Sequence, residues 1–172
     1  MDPAAGVALI RVVGGLLIAA HGTQKLFGWF NGGPLDNYAA FFDKAGYRPG
    51  RPMVVIASLT EISAGCALAL GLLTPLSAAA ATGTMLVACS TLWSQGLWAS
   101  QKGFELPLTL GVMALSVGLS GPGRWSLDHL LGFTGLPSWT GAFVVAGTVA
   151  ASVSMMLFAR WNRQKDAHAF NL

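Results

Sequence analysis

Five apolar stretches dominate the chain, at residues 5–27, 53–73, 76–97, 104–120 and 139–160, separated by short segments rich in Gly, Pro and charge. From Met53 to Gln101 the sole formally charged side chain is Glu61, and from Thr134 to Ala159 there is none. Runs of this length, against roughly 17 to 25 residues for a bilayer crossing, predict membrane-spanning helices. Thr74-Pro75 is the tightest predicted link, Gly121-Pro122-Gly123 ends the fourth span, and Leu136-Pro137-Ser138 precedes the fifth. Indoles favour the headgroup level, and Trp29, Trp93, Trp98, Trp125, Trp139 and Trp161 all fall at or within about a turn of a predicted helix end.

The first connection is patterned. After Asn31-Gly32-Gly33-Pro34, the apolar Leu35, Tyr38, Ala39, Phe42 and Ala45 recur at helical spacing, with Asp36 as the expected cap. This predicts a short interfacial helix. Ser126 to Leu131 suggests another on the opposite side, capped by Ser126, although both segments could also be loops resting on lipid. Alternate connections emerge on opposite faces, so the basic residues sort by side. Lys25, Lys44, Arg48, Arg51, Lys102, Arg160, Arg163 and Lys165 share one face, against Arg124 and the intramembrane Arg11 on the other. The positive-inside rule then places the C-terminus in the cytoplasm and the N-terminus outside, in a multi-pass protein of the cell membrane.

Composition agrees. The 172 residues are 53% hydrophobic and 10% charged, with mean hydropathy +0.59, whereas soluble domains carry roughly 25% charge. A soluble globule is excluded, and one integral membrane domain is expected, without room for a second, soluble one. Gly, at 22 residues, suits helices that approach closely through small side chains. The net charge of +3 and pI near 9.2 do not imply nucleic acid, because the basic residues border apolar helices and form no basic face with interleaved aromatics. Met1-Asp2-Pro3 lacks the positive region of a secretory signal, so the first span reads as a retained helix. Cys66 and Cys89 stand about 20 Å and 12 Å from the same face, too far apart in depth for a disulfide, and read as small buried hydrophobes. Met85, Met113, Met155 and Met156 read as packing or lipid-facing residues, and His129 and His168 as solvated loop and tail residues.

Ionisable residues are costly inside a bilayer, so the few that remain need partners or a use. His21, Gln24 and Lys25 lie at i, i+3, i+4 on one helical face, and Arg11 shares that stripe near the other end, where snorkelling to the interface is expected. His21 and Glu61 come out about 9 Å and 12 Å from the same membrane face, so they can meet. Glu105 opens the fourth span on that side, behind Gln101 and Lys102. Two carboxylates, an imidazole and an ammonium converging in a low-dielectric pocket could hold a polar head group such as a quinone carbonyl, with His21 donating and a carboxylate taking a proton on reduction. The same residues also read as ion pairs, Glu61 with Lys25 or His21 and Glu105 with Lys102, that only hold helices together.

Four fragments in order, His21-Gly22-Thr23-Gln24-Lys25-Leu26-Phe27-Gly28, Glu61 with Gly65 and Gly71-Leu72-Leu73-Thr74, Gly103-Phe104-Glu105-Leu106-Pro107, and Gly121-Pro122-Gly123-Arg124-Trp125-Ser126-Leu127-Asp128, resemble the DoxX family of small membrane proteins. The resemblance runs over about residues 5 to 132. It implies an all-α polytopic bundle, with a four-helix core in residues 1–132, to which residues 133–172 add a fifth transmembrane helix and a basic tail. Many relatives carry a histidine in the third connection, where this chain reads Trp93-Ser94-Gln95-Gly96-Leu97-Trp98. DoxX-like proteins include DoxD-like subunits of thiosulfate:quinone oxidoreductases and membrane partners of thiol-handling or oxidative-stress enzymes.

The resemblance thus implies redox work near quinone. The expected function is a quinone-interacting membrane subunit of an oxidoreductase, with His21, Gln24, Lys25, Glu61 and Glu105 as the candidate pocket in the cytoplasmic leaflet. No haem, flavin or metal motif is visible, so no intrinsic cofactor is expected, and electrons would come from a partner enzyme or from substrate. The alternative is an accessory or assembly subunit, without chemistry, of a respiratory or oxidoreductase complex, held to its neighbours through small-residue faces such as Gly6 to Gly14 or Ala78 to Thr82 and through the added fifth helix. Lipid and other membrane subunits are the expected partners. Small-solute transport is disfavoured because no inverted repeat or broken helix pair is evident.

Overall fold

A computed structural model describes residues 3–133 and 138–169, with side chains from 4 to 133 and 146 to 165. Among the described residues there are seven α-helices, α1 (Pro3–Phe27), α2 (Leu35–Lys44), α3 (Gly50–Leu70), α4 (Thr74–Leu92), α5 (Glu105–Ser120), α6 (Leu127–Leu130) and α7 (Ser138–Ala169), with short 3-10 turns at Trp93–Gln95 and Ala99–Gln101 and no strand. Ala4–Phe27, Gly50–Leu70 and Thr74–Gln95 are long and apolar enough to cross a membrane, while Glu105–Ser120 is apolar but shorter. The fifth expected span, 139–160, lies inside α7. Trp139 and His168 have side chains outside the described residues, as does most of Leu136-Pro137-Ser138. The molecule is a helical membrane bundle.

Boundaries shift where turn chemistry outweighs apolar length. Thr74-Pro75, expected as a link, instead opens α4, because proline lacks an N–H that the first helical turn would leave unpaired anyway. The turn is Gly71 to Leu73. Gly71 ends α3 at φ +65°, and a Cβ there would collide with the Arg11 guanidinium. Pro34 takes the position before α2, which displaces Asp36 from the expected capping role into the first turn, where it pairs with the exposed Arg51 at 3.5 Å. Ser126 does cap α6, accepting from the His129 N–H at 3.1 Å.

Adjacency gives the layout. α3 packs on α1 and α4, and α5 packs on α4 and α1, so these four close into a ring. The core holds Ile18, Leu68, Met85 and Leu110 among small residues. At its tightest crossing, a Cβ on Gly15 would stand 2.5 Å from the Gly65 carbonyl oxygen, and one on Gly65 would stand equally near that of Gly15. Without a hydrophobic force between lipid-immersed helices, such backbone approach is what holds them. Gly14 faces Met113 and Gly118 faces Ala78, so the small-residue faces expected to meet partners are used inside the chain, whereas Gly6 borders open space. α7 stands outside the ring against α4, and α2 lies across α3 with Phe42 and Tyr47 packed in a cluster that includes Ala159 of α7.

The end of the bundle nearest Arg11 corrects another expectation. Arg11 is 2% exposed and does not snorkel. Its guanidinium donates to the carbonyl oxygens of Pro122 (2.9 Å) and Trp125 (2.6 Å). Asp128, also buried, accepts from the N–H groups of Leu73 (2.7 Å) and Thr74 (2.8 Å), placing a carboxylate at the positive end of α4. The α5–α6 connection is thereby laced to α1 and to the α3–α4 turn. Cys66 proves exposed rather than buried, on the apolar outer surface of α3, while Cys89 is buried, and both thiols are free. His129 is exposed, as expected.

Candidate functional site

The opposite end of the ring, where α1 and α4 finish, holds the candidate site. Along α1 the buried positions Arg11, Gly14, Gly15, Ile18 and Gly22 recur at helical spacing, and Lys25 continues that stripe. On α3 the buried stripe runs Val54, Ser58, Glu61, Gly65 and Leu68. A Cβ on Gly22 would meet the Ser58 carbonyl oxygen at 2.6 Å, so the helices approach closely here too. That proximity lets the Lys25 ammonium donate to Glu61 Oε1 at 2.5 Å. Glu61 is 1% exposed and Lys25 18%, and Glu61 Oε2 has no hydrogen-bond partner among the described residues.

This ion pair lines a cavity of about 690 Å³, within the roughly 300–1,000 Å³ typical of small-molecule sites. α3 contributes Met53, Ile56, Ala57 and Thr60, and α4 contributes Ala80, Gly83, Thr84 and Val87. Tyr38, Phe41 and Phe42 of α2 cover the end, and Thr148, Ala151, Ser152 and Met155 of α7 form the remaining wall. The cavity therefore sits outside the four-helix ring, in the trough over α4. α3 and α7 each pack on α4 and touch each other little, and Ile56 and Met155 are 57% and 41% exposed, so the cavity opens sideways toward lipid.

Of the five residues singled out from sequence, the structure brings Gln24, Lys25 and Glu61 to this wall, keeps His21 within electrostatic range of Glu61 behind it, and leaves Glu105 elsewhere. His21 Nδ1 lies 3.3 Å from Gln24 Oε1, one turn away on the same helix, and His21 does not line the cavity. Glu105 turns back on its own loop, where its Oε2 accepts from the Ala99 N–H at 2.8 Å. Trp93 stacks on Phe104 at 5.0 Å to close the same loop. Sequence reasoning missed Thr60 and Ser152, and Tyr47, whose hydroxyl lies 2.6 Å from Ser90 Oγ. Burial pushes the Tyr47 phenol above its ordinary value, against the Ser90 hydrogen bond and the Arg163 charge, which pull it down. Tyr38 and Phe42 lay on the predicted apolar face of α2, but nothing in the pattern said what that face covers.

The fold and the site together are those of a small helical membrane bundle with a largely apolar, laterally open cavity whose wall carries a buried ion pair. The model of the DoxX family matches residues 6–94, just over half of the chain, and the chain belongs to that family. The matched region takes in α1 to α4 and stops before α5 and α7. No curated protein and no solved structure matches the chain.

Proposed function

We propose that the cavity binds the head group of a quinone or quinol, and that the protein serves as a membrane subunit beside a redox enzyme that supplies or takes the electrons. The observation that carries this reading is the Lys25–Glu61 pair in the wall of a largely apolar chamber, with the ammonium partly exposed and Glu61 Oε2 buried without a hydrogen-bond partner among the described residues. Lys25 can donate to a carbonyl oxygen, and a turn of the Glu61 carboxylate would let its buried Oε2 accept from a hydroxyl, so both oxidation states of the ring would find a partner. The opening between α3 and α7 suits a hydrocarbon tail that stays in lipid. The accessory-subunit reading loses most of its small-residue faces, which are occupied within the chain, and keeps α7, where Val153, Leu157 and Phe158 are exposed.

Titration of the detergent-solubilised protein with a short-tailed ubiquinone analogue, read by thermal shift and calorimetry, tests the proposal. Saturable binding is expected in the native chain, at least about tenfold weaker in Glu61→Gln because a charge-assisted hydrogen bond is lost, and unchanged in Glu105→Gln. Equal affinity in native protein and Glu61→Gln would sink it. We further propose that the cavity end faces the cytoplasm in the cell membrane. A cysteine introduced at Gln164, in a chain whose two native cysteines are replaced, should resist an impermeant thiol reagent in intact cells, and ready labelling would reverse the orientation.

A further inference from the structure

A second concavity, of about 430 Å³, opens between the end of α4 and the C-terminal half of α7. Its character is graded along the helix axis. On α7, Val153, Met156, Leu157, Arg160 and Arg163 fall on one face, passing from apolar to doubly basic over about 15 Å toward the helix end. α4 faces them with Ser90, and Trp93 and Ser94 follow at its end. Trp93 in the groove and Trp161 between the two arginines along α7, 66% and 51% exposed, mark the headgroup level. Among the described residues, neither Arg160 nor Arg163 forms an ion pair and no acidic side chain lines the groove.

We propose that this groove holds the phosphate of an anionic phospholipid, clasped by Arg160 and Arg163, with the upper part of an acyl chain lying over Val153, Met156 and Leu157. Two guanidinium forks three residues apart match the oxygens of a phosphodiester, whereas a zwitterionic head group brings a cation that the two arginines repel. The apolar floor below them selects a ligand with a hydrocarbon chain over a free anion, and it runs in the direction a lipid tail takes from the membrane surface. Lys44, Arg51 and Lys165 lie at the same end of the bundle and strengthen the field without entering the groove. The inference is independent of the quinone proposal, since the ion pair of the first cavity takes no part.

The test titrates purified protein in non-ionic detergent with short-chain phosphatidylglycerol, phosphatidylcholine and inorganic phosphate, following bound lipid by native mass spectrometry and stability by thermal shift. Phosphatidylglycerol should bind at least about tenfold more tightly than phosphatidylcholine, and inorganic phosphate at the same concentration should not displace it. Arg160→Gln with Arg163→Gln should weaken phosphatidylglycerol binding about thirtyfold, from roughly fivefold per basic residue. Lysine at both positions should fall between, since it keeps the charge and loses the fork. Lys44→Gln with Arg51→Gln removes the same charge from the same end and should cost no more than about threefold. Equal binding of the two lipids, or equal losses in the two double glutamine variants, would overturn the proposal by showing a diffuse field in place of a site. Displacement by inorganic phosphate would overturn the lipid assignment in favour of a soluble anion.

Discussion

Replacing Lys25 by methionine should be far more damaging than replacing Glu61 by glutamine, although both break the same 2.5 Å contact. Lys25→Met keeps the aliphatic stem but strands a carboxylate that is 1% exposed, with Oε1 losing its donor and Oε2 having none among the described residues. Removing one partner of a buried pair in this way costs about 3 to 5 kcal/mol. Glu61→Gln leaves instead an ammonium that is already 18% exposed and two residues from the end of α1, free to straighten toward the interface. Its cost is the lost hydrogen bond, about 1 to 2 kcal/mol. The double variant leaves no unpaired charge and should resemble Glu61→Gln alone, so the cycle should show non-additivity of at least about 2 kcal/mol. Unfolding in mixed micelles of dodecyl maltoside and dodecyl sulfate, followed by helical circular dichroism, measures all four chains. Equal single costs that simply add would refute the pairing and with it the electrostatic account of the cavity wall.

Other consequences are as concrete. Gly15→Ala should abolish stable folding, because its Cβ meets backbone atoms of Gly65 and Ala69 at 2.5 and 2.7 Å, while Gly6→Ala, with nothing within 4 Å, should leave the unfolding midpoint unchanged. Asp128→Ala should cost about 1 to 3 kcal/mol and speed amide exchange at Leu73 and Thr74, whose N–H groups lose their acceptor. Tyr47, raised above its ordinary value by burial, favours folding while protonated. That contribution is complete below about pH 10 and is lost as pH rises through the higher folded-state value. Tyr47→Phe should therefore lose about 1 kcal/mol at neutral pH with the Ser90 hydrogen bond, and flatten the alkaline decline of the melting temperature.

Elements were legible in the sequence because the bilayer imposes length, and α2 because Leu35, Tyr38, Ala39 and Phe42 keep helical period in a polar stretch. Depth counting brought His21 and Glu61 to one level, and the structure joins Glu61 to Lys25, one turn beyond His21 on the same helix. The same counting brought Glu105 to that level and could say nothing of its direction around the helix axis. Azimuth is set by neighbours, and Glu105 finds the N–H of Ala99 six residues back. Arg11 shows the complementary limit. A lone arginine near a helix end reads as snorkelling unless one knows that carbonyl oxygens more than a hundred residues away converge on it. The wall contributed by α7 was illegible for the same reason, since Ser152 and Met155 sit in a run whose composition suits lipid and protein equally.

The attachment of α7 bears on how the chamber is entered. The Asn162 side chain donates to the Gly46 carbonyl oxygen at 2.9 Å, Ala159 packs with Phe42 and Tyr47, and Asp43 of α2 accepts from the Gly50 N–H at 2.8 Å. Along its middle, the Ser152 hydroxyl reaches toward the Gly83 carbonyl oxygen of α4 at 3.5 Å. The outer helix is thus buckled at one end to the segment that roofs the chamber. Roof and side wall share a fastening, so a molecule passing between α3 and α7 loads the buckle at Gly46, and the width of the door and the seat of the roof change together.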